Sequence, residues 1–129
     1  MKDTIKIGKI GEDIACEYLV KKGWRILKRN HRERSDEIDI ISISEDGILI
    51  FCEVKALSLG KDLQSRGLMP EDNLTSAKMR KISRACQLFA GKHPELIYPD
   101  KGWRIDLLAI DIDINGDGMA RDVRHYENI

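Results

Sequence analysis

The order of the predicted elements indicates an α/β fold in which a mixed sheet of about five strands is flanked by two main helices. A helical pattern opens the chain and three strand patterns follow it. A second helical pattern then precedes two further strand patterns. With 129 residues, the chain is long enough for one sizeable core and short for two. We therefore expect residues 1–129 to form a single domain.

The first helix is predicted over residues 8–23, where apolar side chains recur at helical spacing. Glu12 lies at the border of this apolar face, beside Leu19. Gly23 is a stop signal for the helix. The basic stretch over residues 24–32 alternates moderately in polarity, which predicts a strand at a sheet edge.

Two isoleucine-rich strands are predicted on either side of the turn "SEDG", and the turn "NGDG" is a strong signal for a hairpin between the last two strands. A long connection without clear periodicity precedes the second helix, and connections of this length are usually functional or mobile. The predicted ranges are 37–44 and 48–55 for the paired strands, 57–74 for the connection, 75–90 for the second helix, and 104–114 and 119–129 for the last strands.

The turn chemistry predicts the register of the first hairpin. The sequence "SEDGI" fits a three-residue loop with Gly47 in the left-handed conformation, which pairs Ser44 with Ile48. This register places Asp39 opposite Glu53, and Glu37 opposite Lys55, so that all four charges share one face of the open end. A two-residue loop would place Asp39 and Glu53 on opposite faces.

Two directly opposed carboxylates repel each other unless a cation lies between them. Asp39 and Glu53 would suit Mg²⁺ or Mn²⁺, and Lys55 would project into the same space and hold a water or a phosphate oxygen. An ion-pair cluster at the rim of the sheet is the structural alternative. Lys78 lies in the apolar stripe of the second helix, where it either extends past the edge of the core or reaches the site.

The net charge is zero, but basic residues are concentrated in residues 21–34 and 75–92, and acidic residues in 95–129. Such a distribution can form a basic face that binds phosphates, although solvated surface charges produce the same pattern. The candidate nucleic-acid contacts are Arg29, Arg32, Arg34 and Arg80.

The composition is typical of a protein of the cytosol that has no membrane partner. No apolar run approaches the length of a membrane span. The first residues carry charges where a signal peptide has its apolar segment. Three widely spaced cysteines in apolar contexts are expected to be free thiols; they are Cys16, Cys52 and Cys86.

Several short motifs occur in an order that resembles the YraN family of endonuclease-like bacterial proteins. They are Gly8, Gly11-Glu12, Gly23-Trp24, Asn30, Glu37-Ile38-Asp39, Glu53-Val54-Lys55, Lys78 and Arg104-Ile105-Asp106. That family is similar to the restriction-endonuclease-like PD-(D/E)XK superfamily and to Holliday-junction resolvases. The resemblance covers nearly the whole chain. It implies a restriction-endonuclease-like fold for the predicted sheet.

The resemblance implies a Mg²⁺- or Mn²⁺-dependent endonuclease that hydrolyses DNA rather than RNA, including branched or junction DNA. The sequence does not determine the oligomeric state, although junction resolvases need two active sites, which a homodimer would provide. Asp39, Glu53 and the carbonyl of Val54 would hold the metal, and Lys55 would orient the attacking water. Glu12 would complete the site and Lys78 would contact a phosphate. The chain departs from the family pattern at Asp36, Ala56 and Leu57 and in the 57–74 connection, so a nucleic-acid-binding relative without catalysis is an alternative.

A second alternative is a calcium-binding module. The sequence "DIDINGDGMARD" matches a calcium loop of the EF-hand type, with Asp111, Asp113, Asn115, Asp117 and Asp122 at ligand positions. The preceding residues have a strand pattern rather than a helical one, and the last ligand is Asp rather than the usual Glu. Both features favour a hairpin over a calcium site.

Overall fold

Five strands form one mixed sheet, in the order in which they occur along the chain, in the computed structural model of the protein. The structure describes residues 2–58, 74–113 and 120–129. The strands are β1 (Arg25–Glu33), β2 (Asp36–Ile43), β3 (Leu49–Ser58), β4 (Trp103–Ile112) and β5 (Ala120–Tyr126). The helices are α1 (Lys2–Lys21) and α2 (Ser76–Lys92), and a short 3₁₀ helix spans Pro94–Leu96.

The sheet has the mixed topology that was predicted. Strands β1, β2 and β3 form an antiparallel meander, β3 and β4 are parallel, and β5 returns antiparallel to β4. The chain crosses from β3 to β4 through the segment that contains α2. This α/β arrangement is consistent with the predicted restriction-endonuclease-like architecture.

Each face of the sheet buries one helix. Helix α2 packs Phe89 and its neighbours against Ile41 and Phe51 on one face. On the other face, α1 packs Leu19 against a cluster that includes Ile50 and Leu108. Strand β3 therefore alternates between the two cores, as expected for a strand that is covered on both sides. Neither helix, within the described ranges, combines the length and apolar character needed to cross a membrane.

The termini of the elements differ modestly from the predictions. Helix α1 begins at Lys2 rather than at residue 8, and it ends at Lys21 because Gly23 adopts a left-handed conformation with φ of 88°. The basic strand β1 lies at the sheet edge, as predicted. The three cysteines are free thiols. Most of the 57–74 connection and the "NGDG" turn lie outside the described residues.

Candidate metal and phosphate site

The first hairpin has the predicted turn and register. Gly47 has a left-handed φ of 86° and donates its N–H to the Ser44 carbonyl at 2.9 Å, and Ser44 donates to the Ile48 carbonyl. The paired residues run from Ile43 opposite Leu49 to Ile40 opposite Cys52. The ladder ends at that pair, so the predicted pairs of Asp39 with Glu53 and of Glu37 with Lys55 lie beyond it at the open end, and Asp39 meets β3 through its side chain.

Asp39 and Glu53 form a hydrogen-bonded pair of carboxyl groups at that end. Asp39 also accepts the Val54 N–H through Oδ2 at 2.8 Å, which anchors its side chain to the backbone of β3. Lys55 Nζ lies 3.3 Å from Glu53 Oε1. The three side chains of the predicted metal and water site are therefore together, and the Val54 backbone is beside them.

The two carboxyl groups titrate at unusually high pH. Burial and the charge of Glu53 raise the pKa of Asp39 to about 7. Burial also raises the pKa of Glu53, which is 8% exposed, and Lys55 opposes this shift. Both shifts have the expected direction, because two close buried carboxylates cannot both ionise at low cost.

Helix α1 brings Glu12 toward the same place. The helix packs so tightly on β3 that a Cβ added at Gly11 would lie 2.6 Å from the Ala56 Cβ. Burial and the charge of Asp39 raise the pKa of Glu12, and a hydrogen bond with Asn30 opposes this rise. Asn30 has a left-handed φ of 51°, which asparagine tolerates better than most residues.

A cleft of about 170 Å³ opens beside Glu53 and Lys55 on the α2 side. Such a volume is smaller than most ligand pockets and suits a phosphate group with a few waters. Its lining residues are Asp36, Glu37, Glu53, Lys55, Lys78, Lys81 and Ile82. The predicted phosphate contact, Lys78, is therefore at the cleft. Lys81 was missed by the sequence prediction, although it lies one helical turn after Lys78.

The predicted nucleic-acid contacts separate into two groups. Arg29 donates to Asp13 at 2.8 Å and lies 3.6 Å from Glu12, and Arg32 lies 3.8 Å from Glu37. Acidic side chains of the protein itself therefore compensate both arginines. The other two arginines are exposed and form no ion pair with any residue that the structure describes; they are Arg34 and Arg80.

The predicted calcium ligands are only partly within the described residues. Asp111 lies opposite Asp122 in the β4–β5 register, and Arg124 binds both carboxylates. An arginine therefore occupies the position between these two acids. Asp113 ends the described part of this loop, and Asn115 and Asp117 lie outside it.

A second polar cluster, not predicted as a site, surrounds the fully buried Asp106. Burial alone would raise the pKa of Asp106, but hydrogen bonds from His125, Arg104 and the Asn128 N–H outweigh it and hold that pKa below its usual range. Together with Glu127, Asp106 and His125 could in principle hold a metal. However, Arg104 lies 2.9 Å from Asp106 and 3.3 Å from Glu127, so a cation is already present. This cluster anchors the C-terminal residues to β4.

Comparisons with known proteins identify related sequences. A family model described as uncharacterised protein family UPF0102 matches residues 11–110. A UPF0102 protein of Campylobacter concisus is 40% identical over 103 residues, which cover 80% of this chain and 81% of that protein. Relatives from Chlorobaculum parvum (37% identical; 94% of this chain and 84% of the relative) and Trichlorobacter lovleyi (31% identical; 98% and 91%) extend the similarity over nearly the whole length.

Proposed function

The chain belongs to the UPF0102 family, which is the YraN family that its motifs resemble, and we propose that it is a divalent-metal-dependent nuclease that hydrolyses phosphodiester bonds in DNA. The observation that carries the proposal is the pair Asp39 and Glu53. Their carboxyl groups are buried against each other with raised pKa values, Lys55 lies beside Glu53, and Glu53 lines a small cleft.

The donor set suits a hard divalent cation. Two carboxylates and a backbone carbonyl at Val54 are oxygen donors of the kind that Mg²⁺ and Mn²⁺ prefer, and such a site leaves positions for water and a substrate phosphate. A bound cation would replace the proton that the carboxyl pair now shares. The fit rests on the chemistry of Asp39 and Glu53, because a buried pair of like charges is costly without a cation.

When bound, the metal would supply Lewis-acid activation of the phosphate and a lowered pKa for a water. Side chains of the protein would position the attacking water and bind the phosphate. Lys55 would hold the attacking water and stabilise charge that develops on the phosphate. Glu12 would hold a further water at the edge of the site, and Lys78 would bind a phosphate oxygen of the same strand. These contacts recognise the phosphate backbone and not the bases, so cleavage would depend weakly on sequence.

The proposal is tested by measuring Mn²⁺ binding by calorimetry and DNA cleavage on the same protein samples. Lys55→Ala should bind Mn²⁺ and lose cleavage by a factor of about 10² or more, because it removes transition-state stabilisation and leaves the metal ligands. Asp39→Asn should lose both. Asp113→Asn, which is in the predicted calcium loop, is the control and should retain both.

Two results would overturn the proposal. One is cleavage by Lys55→Ala at the wild-type rate. The other is Mn²⁺ binding that survives in Asp39→Asn and is lost in Asp113→Asn, because that pattern would favour the calcium-binding alternative.

A further inference from the structure

Helix α2 carries a row of basic residues that begins at the cleft. The helix contains no acidic residue over its 17 positions. Four of its cations are exposed, and none of them forms an ion pair with a residue in the described ranges; they are Lys78, Arg80, Lys81 and Arg84. The fifth, Lys92 in the last turn, is the exception, because it binds Glu33 at 2.9 Å.

The other basic segment, residues 21–34, is partly neutralised within the fold. Arg29 and Arg32 have acidic partners. Lys22 lies 3.0 Å from His125 Nδ1 and packs over the ring of Trp24. The exposed cations of this segment that form no ion pair within the described ranges are Lys21, Arg25, Lys28 and Arg34, so the two segments have equal numbers of such cations. What distinguishes α2 is that its cations begin at the cleft.

The α2 cations begin at the cleft and continue along the helix away from it. Lys78 and Lys81 line the cleft above Glu53, and Arg84 follows Lys81 at the same spacing of three residues. Side chains three apart lie on one ridge of a helix. With a rise of 1.5 Å per residue, this ridge extends about 9 Å from the cleft along α2. Arg80 lies beside Arg84 on the neighbouring row at a spacing of four.

We propose that the ridge formed by Lys78, Lys81 and Arg84 is the binding surface for the sugar-phosphate backbone that leads away from the cleft. This inference rests on the proposed function, and it names the surface that the substrate occupies. The partner is a single nucleic-acid strand, whose next phosphates contact Lys81 and Arg84. Arg29 and Arg32 on β1, which the sequence favoured as contacts, are secondary because acidic residues already bind both of them.

The test measures the salt dependence of binding to a fluorescent single-stranded oligonucleotide, in metal-free buffer so that the strand is not cleaved. The variants are Lys81→Gln, Arg84→Gln and the double variant. Lys28→Gln on β1 is the matched control, because Lys28 is exposed and the charge change is the same. All these side chains are exposed, and thermal unfolding should verify that each variant is folded.

Each lost phosphate contact should reduce the slope of log affinity against log salt by about 0.7 for a single strand. We expect this reduction for Lys81→Gln and for Arg84→Gln, about twice that for the double variant, and no change for Lys28→Gln. Unchanged slopes for the α2 variants, or an equal reduction in Lys28→Gln, would overturn the inference.

Failure of the inference is distinguishable from failure of the proposed function. If the wild type binds the strand and cleaves DNA while the α2 variants behave as wild type, only the binding surface is assigned wrongly. If the wild type binds no strand even at about 50 mM salt, where such contacts are strong, both the surface and the DNA substrate are wrong, whatever the Mn²⁺ calorimetry shows.

Discussion

Replacing Asp39 by asparagine should stabilise the metal-free protein at high pH. The amide keeps an oxygen that can accept the Val54 N–H, which now donates to Asp39 at 2.8 Å. Its NH₂ group can donate to Glu53 in place of the proton that the two acids share. The substitution therefore removes a repulsion between like charges and preserves both hydrogen bonds.

The sign and size of the effect follow from the pKa of Asp39, which rises from its usual 3.8 to about 7 in the folded protein. Between these values the folded state holds a proton that the unfolded chain has lost, so stability decreases as pH rises from about 4 to 7. One pKa unit is worth about 1.4 kcal/mol, which gives an upper bound of roughly 4 kcal/mol. Because Glu53 shares the proton, we expect a gain of about 2–4 kcal/mol for Asp39→Asn at pH 8 and little near pH 4.

Urea unfolding at a series of pH values, with a chelator present, measures this difference. Asp100→Asn is the control, because Asp100 is an exposed carboxylate far from the pair in sequence, and its effect should be small at every pH. Added Mn²⁺ should stabilise the wild type, by about 2.7 kcal/mol at a hundredfold excess over Kd, and leave Asp39→Asn unchanged. A variant that is less stable than wild type at pH 8 without metal would refute the reasoning, as would a difference independent of pH.

Two further predictions concern the scaffold. Gly11→Ala should destabilise the protein by about 1–3 kcal/mol, because the new methyl would overlap Ala56. Gly8→Ala should be neutral or stabilising by up to about 1 kcal/mol, because a Cβ at Gly8 meets nothing within 4 Å. Thermal unfolding compares the two variants, and equal effects would contradict the close packing of α1 on β3. Hydrogen bonds from His31 and Lys92 lower the pKa of the buried Glu33, so its contribution to stability is present above pH 4–5 and is lost as pH falls below that range. Glu33→Gln should therefore cost about 2–4 kcal/mol at pH 7 and less at pH 3 in urea unfolding, and a constant cost would rule out the charge as its cause.

Local chemistry explains why the hairpin could be predicted from the sequence. Gly47 determines the turn, and the turn determines which residues of β2 and β3 are opposite each other, so the meeting of Asp39 and Glu53 requires no knowledge of the rest of the fold. Lys78 was similarly found because a charge interrupts an apolar stripe. Both signals lie within one element or one hairpin.

Contacts between distant segments had no comparable signal. The compensation of Glu33 by Lys92, and of Asp106 by His125, joins elements whose relative placement depends on the packing of the whole sheet. From the concentration of basic residues alone, both β1 and α2 were predicted to contact nucleic acid. Only the fold reveals that Arg29 faces Asp13 on α1 while Lys81 faces the cleft.

Acidic residues meet across neighbouring strands at three places in the described sheet, namely Glu33 with Asp36, Asp111 with Asp122, and Asp39 with Glu53, and basic side chains compensate them to different degrees. On β4 and β5, Asp111 and Asp122 have Arg124 between them, so the repulsion is cancelled within the protein. On β2 and β3, Asp39 and Glu53 have no arginine among the described residues. Lys55 forms an ion pair with Glu53 and its charge also lowers the pKa of Asp39, but burial outweighs both effects and both pKa values remain raised. Lysines therefore compensate this pair only in part, and its member Glu53 lines the cleft. The proposed external cation would neutralise the repulsion that remains in this pair.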